Sequence, residues 1–299
     1  LKGKSLIKIN RIEEAKICFN KILNLDPNNY EILKEIGNIY KIRGDINNAK
    51  IFYKKSILKN KNYLPALTNL GSIELFNGNT KEALELQLKA TKNNQEFAPA
   101  WFNLGKTYIQ IGNKSEAEKS LIKAIQIDPN FSNAQFLLST IFMEQNKFKD
   151  AEIYLRKSIK INPNIFNAYF LLGSCLIELK KFEEAKSFTL KAIDLKPDFA
   201  EAYSNLGNIL ENLNDYQNAT KAIEKSIKIN PNVKDNHYNL GKLYLIKNQY
   251  KEAEIAFKKA IEIDTEFAEA YSNLGIAIKN QERVDEAEAC LLKAIDLNP

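Results

Sequence analysis

The stretch FAEAYSNLG occurs twice in the chain, at Phe199–Gly207 and at Phe267–Gly275. The two copies are identical over nine residues and start 68 residues apart, which indicates an internal repeat. The asparagine of each copy, Asn205 or Asn273, lies within a segment that has the apolar spacing of a helix. Asparagine is a weak helix former whose side chain competes for backbone hydrogen bonds, so its repetition needs a reason.

Three markers recur along the whole chain with a period of 34 residues. The glycine of the stretch recurs at Gly37, Gly71, Gly105, Gly173, Gly207, Gly241 and Gly275, with Ser139 in the one missing slot. An alanine follows each slot after twelve residues, at Ala49, Ala83, Ala117, Ala151, Ala185, Ala219, Ala253 and Ala287. Proline recurs in the same register at Pro27, Pro129, Pro163, Pro197, Pro231 and Pro299. A fixed period with three markers is the signature of a repeat architecture.

This pattern resembles the tetratricopeptide repeat, and the resemblance covers essentially the whole chain. The predicted units are 30–63, 64–97, 98–131, 132–165, 166–199, 200–233, 234–267 and 268–299, after a partial unit at 1–29 with the end of helix A and helix B. The resemblance implies an all-α fold, a right-handed alpha-alpha superhelix of antiparallel helix pairs whose helix A lines the concave side. One pair cannot bury its own apolar face, so neighbouring pairs must stack.

The residues of one unit, counted from position 1, predict its two helices. Positions 4, 7, 8 and 11 have helical spacing, as in Trp101, Leu104, Gly105 and Tyr108 of unit 98–131. The small residue at position 8 should let helix B approach closely. A turn is expected near position 15, where Gly or Asn is frequent, and proline at position 32 is expected to end helix B.

Position 6 lies about 150° from this apolar stripe on a helical wheel, so we expect its side chain to face the groove. Asparagine occupies position 6 in five units, at Asn69, Asn103, Asn205, Asn239 and Asn273. An amide offers two donors and an acceptor, which suits the backbone of an extended peptide. The repeats resemble those of the O-linked N-acetylglucosamine transferase, whose superhelix carries an asparagine ladder on this surface. The alternative is that the amides bond neighbouring helices, or reflect an asparagine-rich composition.

An apolar centre interrupts this series of asparagines. Leu137 and Leu171 replace asparagine in two successive units, and Phe102, Phe136 and Phe170 occupy position 5 in three. Clustered exposed apolar residues usually mark an interaction site, so these residues, together with Lys106 on the same face, are predicted to bind the peptide. The alternative is that tight curvature buries the rings between adjacent A helices.

Two other ligands fit the groove residues less well. Lys34, Asn38 and Asn69 match the pattern of tetratricopeptide domains that grip a C-terminal carboxylate, but Pro99 and Asn103 cannot supply its remaining positive charges. A surface that tracks nucleic-acid phosphates should be uniformly basic, whereas lysine and glutamate are mixed on this face. We therefore expect a protein or peptide partner, and no nucleic acid.

The composition excludes several classes of function. The chain has 299 residues, 44% of them hydrophobic and 27% charged, with a net charge of +6 that is mixed along its length. No apolar run reaches the roughly 18 residues of a membrane span, and residues 1–10 do not resemble a secretory signal. Three distant cysteines favour a reducing, cytoplasmic location. With a single histidine, no metal-ligand spacing and no phosphate loop, we expect no cofactor and no catalysis.

The sequence thus predicts a non-catalytic scaffold that holds an extended peptide segment in its groove. The alternative is the substrate-recruiting array of a larger enzyme, such as a glycosyltransferase. The chain begins with leucine and carries no polar capping helix after Pro299. We therefore expect either that the natural protein continues there or that another chain covers the apolar edge, and end-to-end self-association is a further expectation.

Overall fold

The computed structural model describes residues 2–298, and the regular structure of these residues is entirely α-helical. This confirms the predicted all-α fold. The chain divides into two compact units, residues 1–141 and 142–299. Consecutive helices are joined by short turns and pack as antiparallel pairs within each unit.

The first unit contains eight complete helices and most of a ninth. Their bounds are α1 Lys2–Lys8, α2 Ile12–Leu25, α3 Tyr30–Ile42, α4 Ile46–Lys59, α5 Leu64–Phe76, α6 Thr80–Asn93, α7 Ala98–Ile111, α8 Lys114–Ile127 and α9 Ser132–Glu144. The second unit continues from the end of α9. Its helices are α10 Phe148–Ile161, α11 Phe166–Glu178, α12 Phe182–Leu195, α13 Ala200–Asn212, α14 Tyr216–Ile229, α15 Lys234–Ile246, α16 Tyr250–Ile263, α17 Ala268–Lys279 and α18 Val284–Leu297.

The glycine at position 8 sets how closely the two helices of a pair approach. A Cβ atom built on Gly207 would lie 2.4 Å from Cδ1 of Ile223, and one on Gly105 would lie 2.8 Å from Cγ of Leu121. Each partner side chain lies on helix B of the same repeat and is buried. The small residue at position 8 therefore has the packing role that the sequence predicts.

The turn between the helices of a pair requires a left-handed residue at position 15. Gly44, Gly78 and Gly112 have φ of 78°, 81° and 83° there. Non-glycine residues take the same conformation at Asn10, Asn146, Lys180, Asn214, Asn248 and Glu282. Glycine and asparagine tolerate this region, whereas a lysine or glutamate is strained in it.

Proline at position 32 is not required to end helix B, contrary to the expectation from the sequence. The helices α4, α6 and α16 end at the same register as the others, although Lys61, Gln95 and Thr265 replace the proline. An Asn or Asp at position 31 instead accepts the backbone N–H two residues later, as Asn60 Oδ1 does at 3.1 Å. The same bond forms at Asp26, Asn94, Asp128, Asn162, Asn230 and Asp264. This Asx turn accompanies the end of the helix in units with and without proline.

Substitution of Gly207 by alanine tests the close approach within a pair. We expect Gly207→Ala to lower the free energy of unfolding by about 1–3 kcal/mol, because the new Cβ overlaps Ile223. Ile223→Val removes the closest atom, Cδ1, and alone should cost about 0.5–1.5 kcal/mol. In the Gly207→Ala background the valine should cost less, or restore stability, in urea denaturation. A stabilising Gly207→Ala, as at an open helix position, would show that the contact does not limit the pair.

Substitution of Lys180 by glycine tests the left-handed turn. Lys180 is exposed and its φ is 57°, so Lys180→Gly should raise the free energy of unfolding by about 0.5–1 kcal/mol, the released strain exceeding the added chain entropy. Gly112→Ala is the matched control, since its new Cβ would meet no atom within 4 Å and the change isolates backbone strain. It should lower stability by about 1 kcal/mol. Equal signs for the two variants in urea denaturation would contradict this account.

Candidate functional site

In each unit the predicted binding residues lie on the A helices, which are α3, α5, α7 and most of α9 in the first unit and α11, α13, α15 and α17 in the second. We call the residues at positions 2, 5, 6, 9 and 13 of these helices the A-helix face. The five asparagines, the three phenylalanines and the two leucines predicted to bind peptide are all half-buried, and Lys106 is exposed. The ten half-buried side chains therefore neither enter the core of a helix pair nor stand free in solvent.

In the first unit, one amide of the A-helix face is bonded to the neighbouring A helix and another is not. Nδ2 of Asn69 donates to Oδ1 of Asn38 at 2.9 Å, and the hydroxyl of Tyr53 donates to the same oxygen at 2.7 Å. The side chain of Asn103 makes no hydrogen bond with residues that the structure describes. Asn69 thus helps to join α5 to α3, whereas the amide of Asn103 makes no such bond.

A buried acidic residue uses up the groups that would grip a carboxylate. Glu35 is 6% exposed, and its carboxylate lies 2.7 Å from Nζ of Lys34 and 3.3 Å from Nζ of Lys4. Nδ2 of Asn38 donates to it at 2.9 Å. Burial alone would raise the pKa of Glu35, but the bonds and charge of Lys34, with Asn38 and Lys4, hold that pKa below its usual value. Lys34 and Asn38 are therefore committed to Glu35, which agrees with the poor match to a carboxylate clamp.

The predicted apolar residues of the first unit are partly covered by their own repeat. The rings of Phe102 and Phe131 lie 4.8 Å apart, and Nζ of Lys106 is 5.8 Å from the centre of the Phe102 ring. Phe136 and Leu137 are half-buried on α9. Each side chain therefore leaves part of its surface open on the A-helix face.

Two exposed apolar residues on the same face are not among those predicted from the sequence. Ile42 and Phe76 occupy position 13 of consecutive repeats and are 54% and 83% exposed. The helical wheel places position 13 with position 6, and an aromatic or aliphatic residue there was the available signal. Together they add apolar surface beside the polar groups of α3 and α5.

In the second unit the amides follow the same division. Nδ2 of Asn205 donates to Oγ of Ser174 at 2.7 Å, and Nδ2 of Asn273 donates to the hydroxyl of Tyr238 at 2.9 Å. Both acceptors lie on the preceding A helix. The side chain of Asn239 has no hydrogen-bond partner within the part of the chain that the structure describes. None of these hydrogen bonds uses the amide oxygen of Asn205 or Asn273.

An aromatic residue at position 5 packs on the ring that precedes the next helix A. The rings of Phe170 and Phe199 lie 4.7 Å apart, and those of Tyr238 and Phe267 lie 5.0 Å apart. Leu171, the residue that follows Phe170, is also half-buried. One side of each position-5 ring thus packs within the repeat, and the binding of a peptide by these rings stays a prediction.

The two units differ in charge, which the net charge of the whole chain conceals. Residues 1–141 contain 21 Lys and Arg against 13 Asp and Glu, whereas residues 142–299 contain 22 against 24. The expectation of a charge that is evenly mixed along the chain is therefore wrong. The first unit carries a net positive charge, and the second a slightly negative one.

The cysteines and the single histidine form no recognisable reactive site within the described residues. Cys18, Cys175 and Cys290 are free, and Sγ of Cys175 lies 3.0 Å from the carbonyl oxygen of Phe148. Nε2 of His237 lies 2.9 Å from the carbonyl oxygen of Pro231. Over residues 2–298, no cluster of three or more His, Cys, Asp or Glu is placed to hold a metal ion. Within the same residues, no helix has the length and apolar character needed to cross a bilayer.

Family models match the repeats along most of the chain. A tetratricopeptide repeat model matches residues 1–29, 30–62, 64–97, 98–131 and 268–299, and two others match residues 200–233 and 222–255. A TPR repeat model matches residues 241–282. A model of the anaphase-promoting complex, cyclosome, subunit 3 matches residues 122–192. No curated protein matches the sequence.

Several solved structures share the fold. PilF of Pseudomonas aeruginosa is 26% identical, with a TM-score of 0.59 over 69% of this chain and 93% of that one. MamA is 26% identical, with a TM-score of 0.51 over 54% of this chain and 94% of that one. YrrB, described as a TPR protein with an unusual peptide-binding site, is 24% identical, with a TM-score of 0.54 over 60% and 92%. Since one repeat model alone matches more than half of the residues, the chain belongs to the tetratricopeptide repeat family.

Proposed function

We propose that the chain binds an extended peptide segment of a partner protein on its A-helix face. The observation that carries this proposal is the half-buried amide at position 6, which recurs in both units and is unbonded at Asn103 and Asn239. Partial burial removes some of the hydrogen bonds that an amide would make to water. The backbone of a bound peptide can replace these lost hydrogen bonds.

The regular spacing of the amides suits a backbone rather than a particular side chain. Asparagine recurs at the same register of successive repeats, at Asn69 and Asn103 and again at Asn205, Asn239 and Asn273. Every residue of an extended peptide offers a backbone donor and an acceptor. One hydrogen bond contributes only about 0.5–1.5 kcal/mol net, so several amides in series are needed for useful affinity.

The asparagines that bond a neighbouring helix also support the proposal. Asn69, Asn205 and Asn273 each spend one N–H on the preceding A helix, which fixes the orientation of the amide. An oriented amide loses less side-chain entropy when a ligand binds. The same asparagine can therefore bond the preceding A helix and bind a peptide.

Apolar side chains beside the amides would supply the buried area that hydrogen bonds do not. Phe76 and Ile42 are exposed, and the half-buried Phe102, Phe136 and Phe170 leave part of each ring open. Leu137, Leu171 and the exposed Lys106 extend this surface. Such exposed apolar groups mark sites of protein interaction. YrrB shares the fold and is described as having an unusual peptide-binding site, which supports the proposal.

The likeness of the amides to the ladder of the glycosyltransferase stays a prediction, as do the larger enzyme and end-to-end self-association. The proposal of a peptide-binding scaffold does not depend on them, because it rests on groups within the two units.

Alanine substitutions of the unbonded amides test the proposal. Peptides selected from a random library on the whole chain should each bind about two- to tenfold more weakly to Asn103→Ala or to Asn239→Ala, since one backbone hydrogen bond is lost. Stability should change by less than about 0.5 kcal/mol, because neither amide bonds another helix. Affinity is measured by fluorescence polarisation and stability by urea denaturation.

Asn47→Ala is the matched control, because Asn47 is exposed on α4, a B helix. It should leave the affinity of every selected peptide unchanged. Peptides that bind both amide variants as tightly as wild type would remove the amides from the mechanism. A selection that yields no binder would remove the proposed function altogether.

A further inference from the structure

A small cavity opens on the A-helix face of the second unit. It has a volume of about 280 Å³ and lies between the starts of α13 and α15, the end of α14 and the ring of Phe170. Glu201, Ser204 and Asn205 line one side, and Ser226 and Asn236 form its buried floor. All of these residues lie in residues 142–299.

The floor of this cavity departs from the repeat pattern. Asn236 is at position 3, where six other units carry Ala66, Ala100, Ala134, Ala168, Ala202 and Ala270. It is 2% exposed, its Oδ1 accepts from Oγ of Ser204 at 2.6 Å, and its Nδ2 donates to Oγ of Ser226 at 2.9 Å. Ser226 in turn donates to the carbonyl oxygen of Ala200 at 2.8 Å. A buried amide in place of an alanine brings polar groups into a position that packing leaves apolar elsewhere.

The groups that remain free in the cavity are mainly acceptors. The hydroxyl proton of Ser204 is spent on Asn236, so its oxygen offers lone pairs to a ligand. The carboxylate of Glu201 is exposed and makes no ion pair with residues 2–298. None of the residues that line the cavity is a lysine or an arginine. The cavity therefore carries a negative charge and favours a ligand that donates hydrogen bonds.

The wall of the cavity suits the apolar stem of a long cationic side chain. Phe170 and Val233 line it, and the Phe170 ring packs on Phe199. Nζ of Lys196 lies 5.1 Å from the centre of the Phe199 ring, so this aromatic pair already attracts an ammonium group of the protein. Lysine and arginine bury their methylene stems against apolar surface while the charged head keeps polar partners.

We propose that this cavity is the subsite that takes a lysine or arginine side chain of the bound peptide, with Glu201 facing its charge and Phe170 facing its stem. The inference rests on the proposed peptide-binding function and names the residue type that the second unit selects. The surplus of acidic over basic residues in this unit favours a cationic ligand.

A cycle of substitutions in the protein and in the peptide tests this subsite. Peptides are selected from a random library on the whole chain, and those whose affinity falls on Asn239→Ala are kept as binders of the second unit. Each lysine in them is replaced by norleucine, and each arginine by citrulline. One such replacement should weaken binding to wild type about tenfold and should have little effect on Glu201→Gln, because the charge partner is then already absent.

Asn236→Ala restores the alanine of the other repeats and should therefore fold. It should reduce the preference for the basic residue without abolishing binding of the peptide. Glu252→Gln is the matched control, since Glu252 is exposed on α16, a B helix, and its affinity should equal that of wild type. Fluorescence polarisation at two salt concentrations reads both affinity and its charge dependence.

The failure of this inference differs from the failure of the proposed function. In one outcome the selected peptides bind through the amides, and yet the norleucine or citrulline replacement reduces affinity equally for wild type and for Glu201→Gln. That result would contradict the basic subsite and leave the proposed peptide-binding function intact. A preference for a neutral side chain at this position would likewise overturn the subsite alone. If no peptide binds, or none depends on the asparagines, the proposed function and the subsite fall together.

Discussion

The fold depends on the contact between a position-8 glycine and one side chain of helix B. At Gly207 and Gly105 no room exists for a Cβ, so the two helix axes approach as closely as the backbone permits. This contact recurs in every repeat that has the glycine, and the alanine at position 20 is buried throughout. Close approach leaves little freedom for helix A to rotate about its axis, since a one-residue shift would bring a side chain into the gap. The register of the A-helix face is therefore a consequence of the glycine.

That register explains how one residue type can serve both structure and binding. An asparagine at position 6 lies at the edge between two successive A helices, where its N–H reaches a hydroxyl or an amide on the preceding one. None of these hydrogen bonds uses the oxygen of the position-6 amide. The cost of a weak helix former is offset by a hydrogen bond that joins repeats, and the repeat gains a polar group of fixed orientation on its surface. The two units then add different chemistry to this common element, a basic surplus in the first and an acidic cavity in the second.

Local patterns in the sequence predict the helix pairs well, because the spacing of glycine, alanine and apolar residues acts within one unit. The helical wheel places Asn205 and Asn273 outside the apolar stripe of their helices, and both side chains are half-buried. Their partners, Ser174 and Tyr238, were not predictable, since they belong to the preceding helix and depend on how repeats stack. The cavity around Asn236 needs four elements to meet and leaves only one trace in the sequence, an asparagine where alanine recurs. The expectation that proline at position 32 ends helix B was incomplete. In units without this proline, the helix ends at the same register with a hydrogen bond to the Asn or Asp side chain at position 31.

The central claim is that amides of the A-helix face bind the backbone of a peptide. The most direct measurement is an N-methyl scan of a selected peptide, in which each backbone N–H is replaced in turn and affinity is measured for wild type and for the variant Asn103→Ala/Asn239→Ala. The account predicts that N-methylation at one or more positions weakens binding to wild type and that this loss disappears in the variant. N-methylation that leaves affinity unchanged at every position, or that weakens both proteins equally, would contradict it.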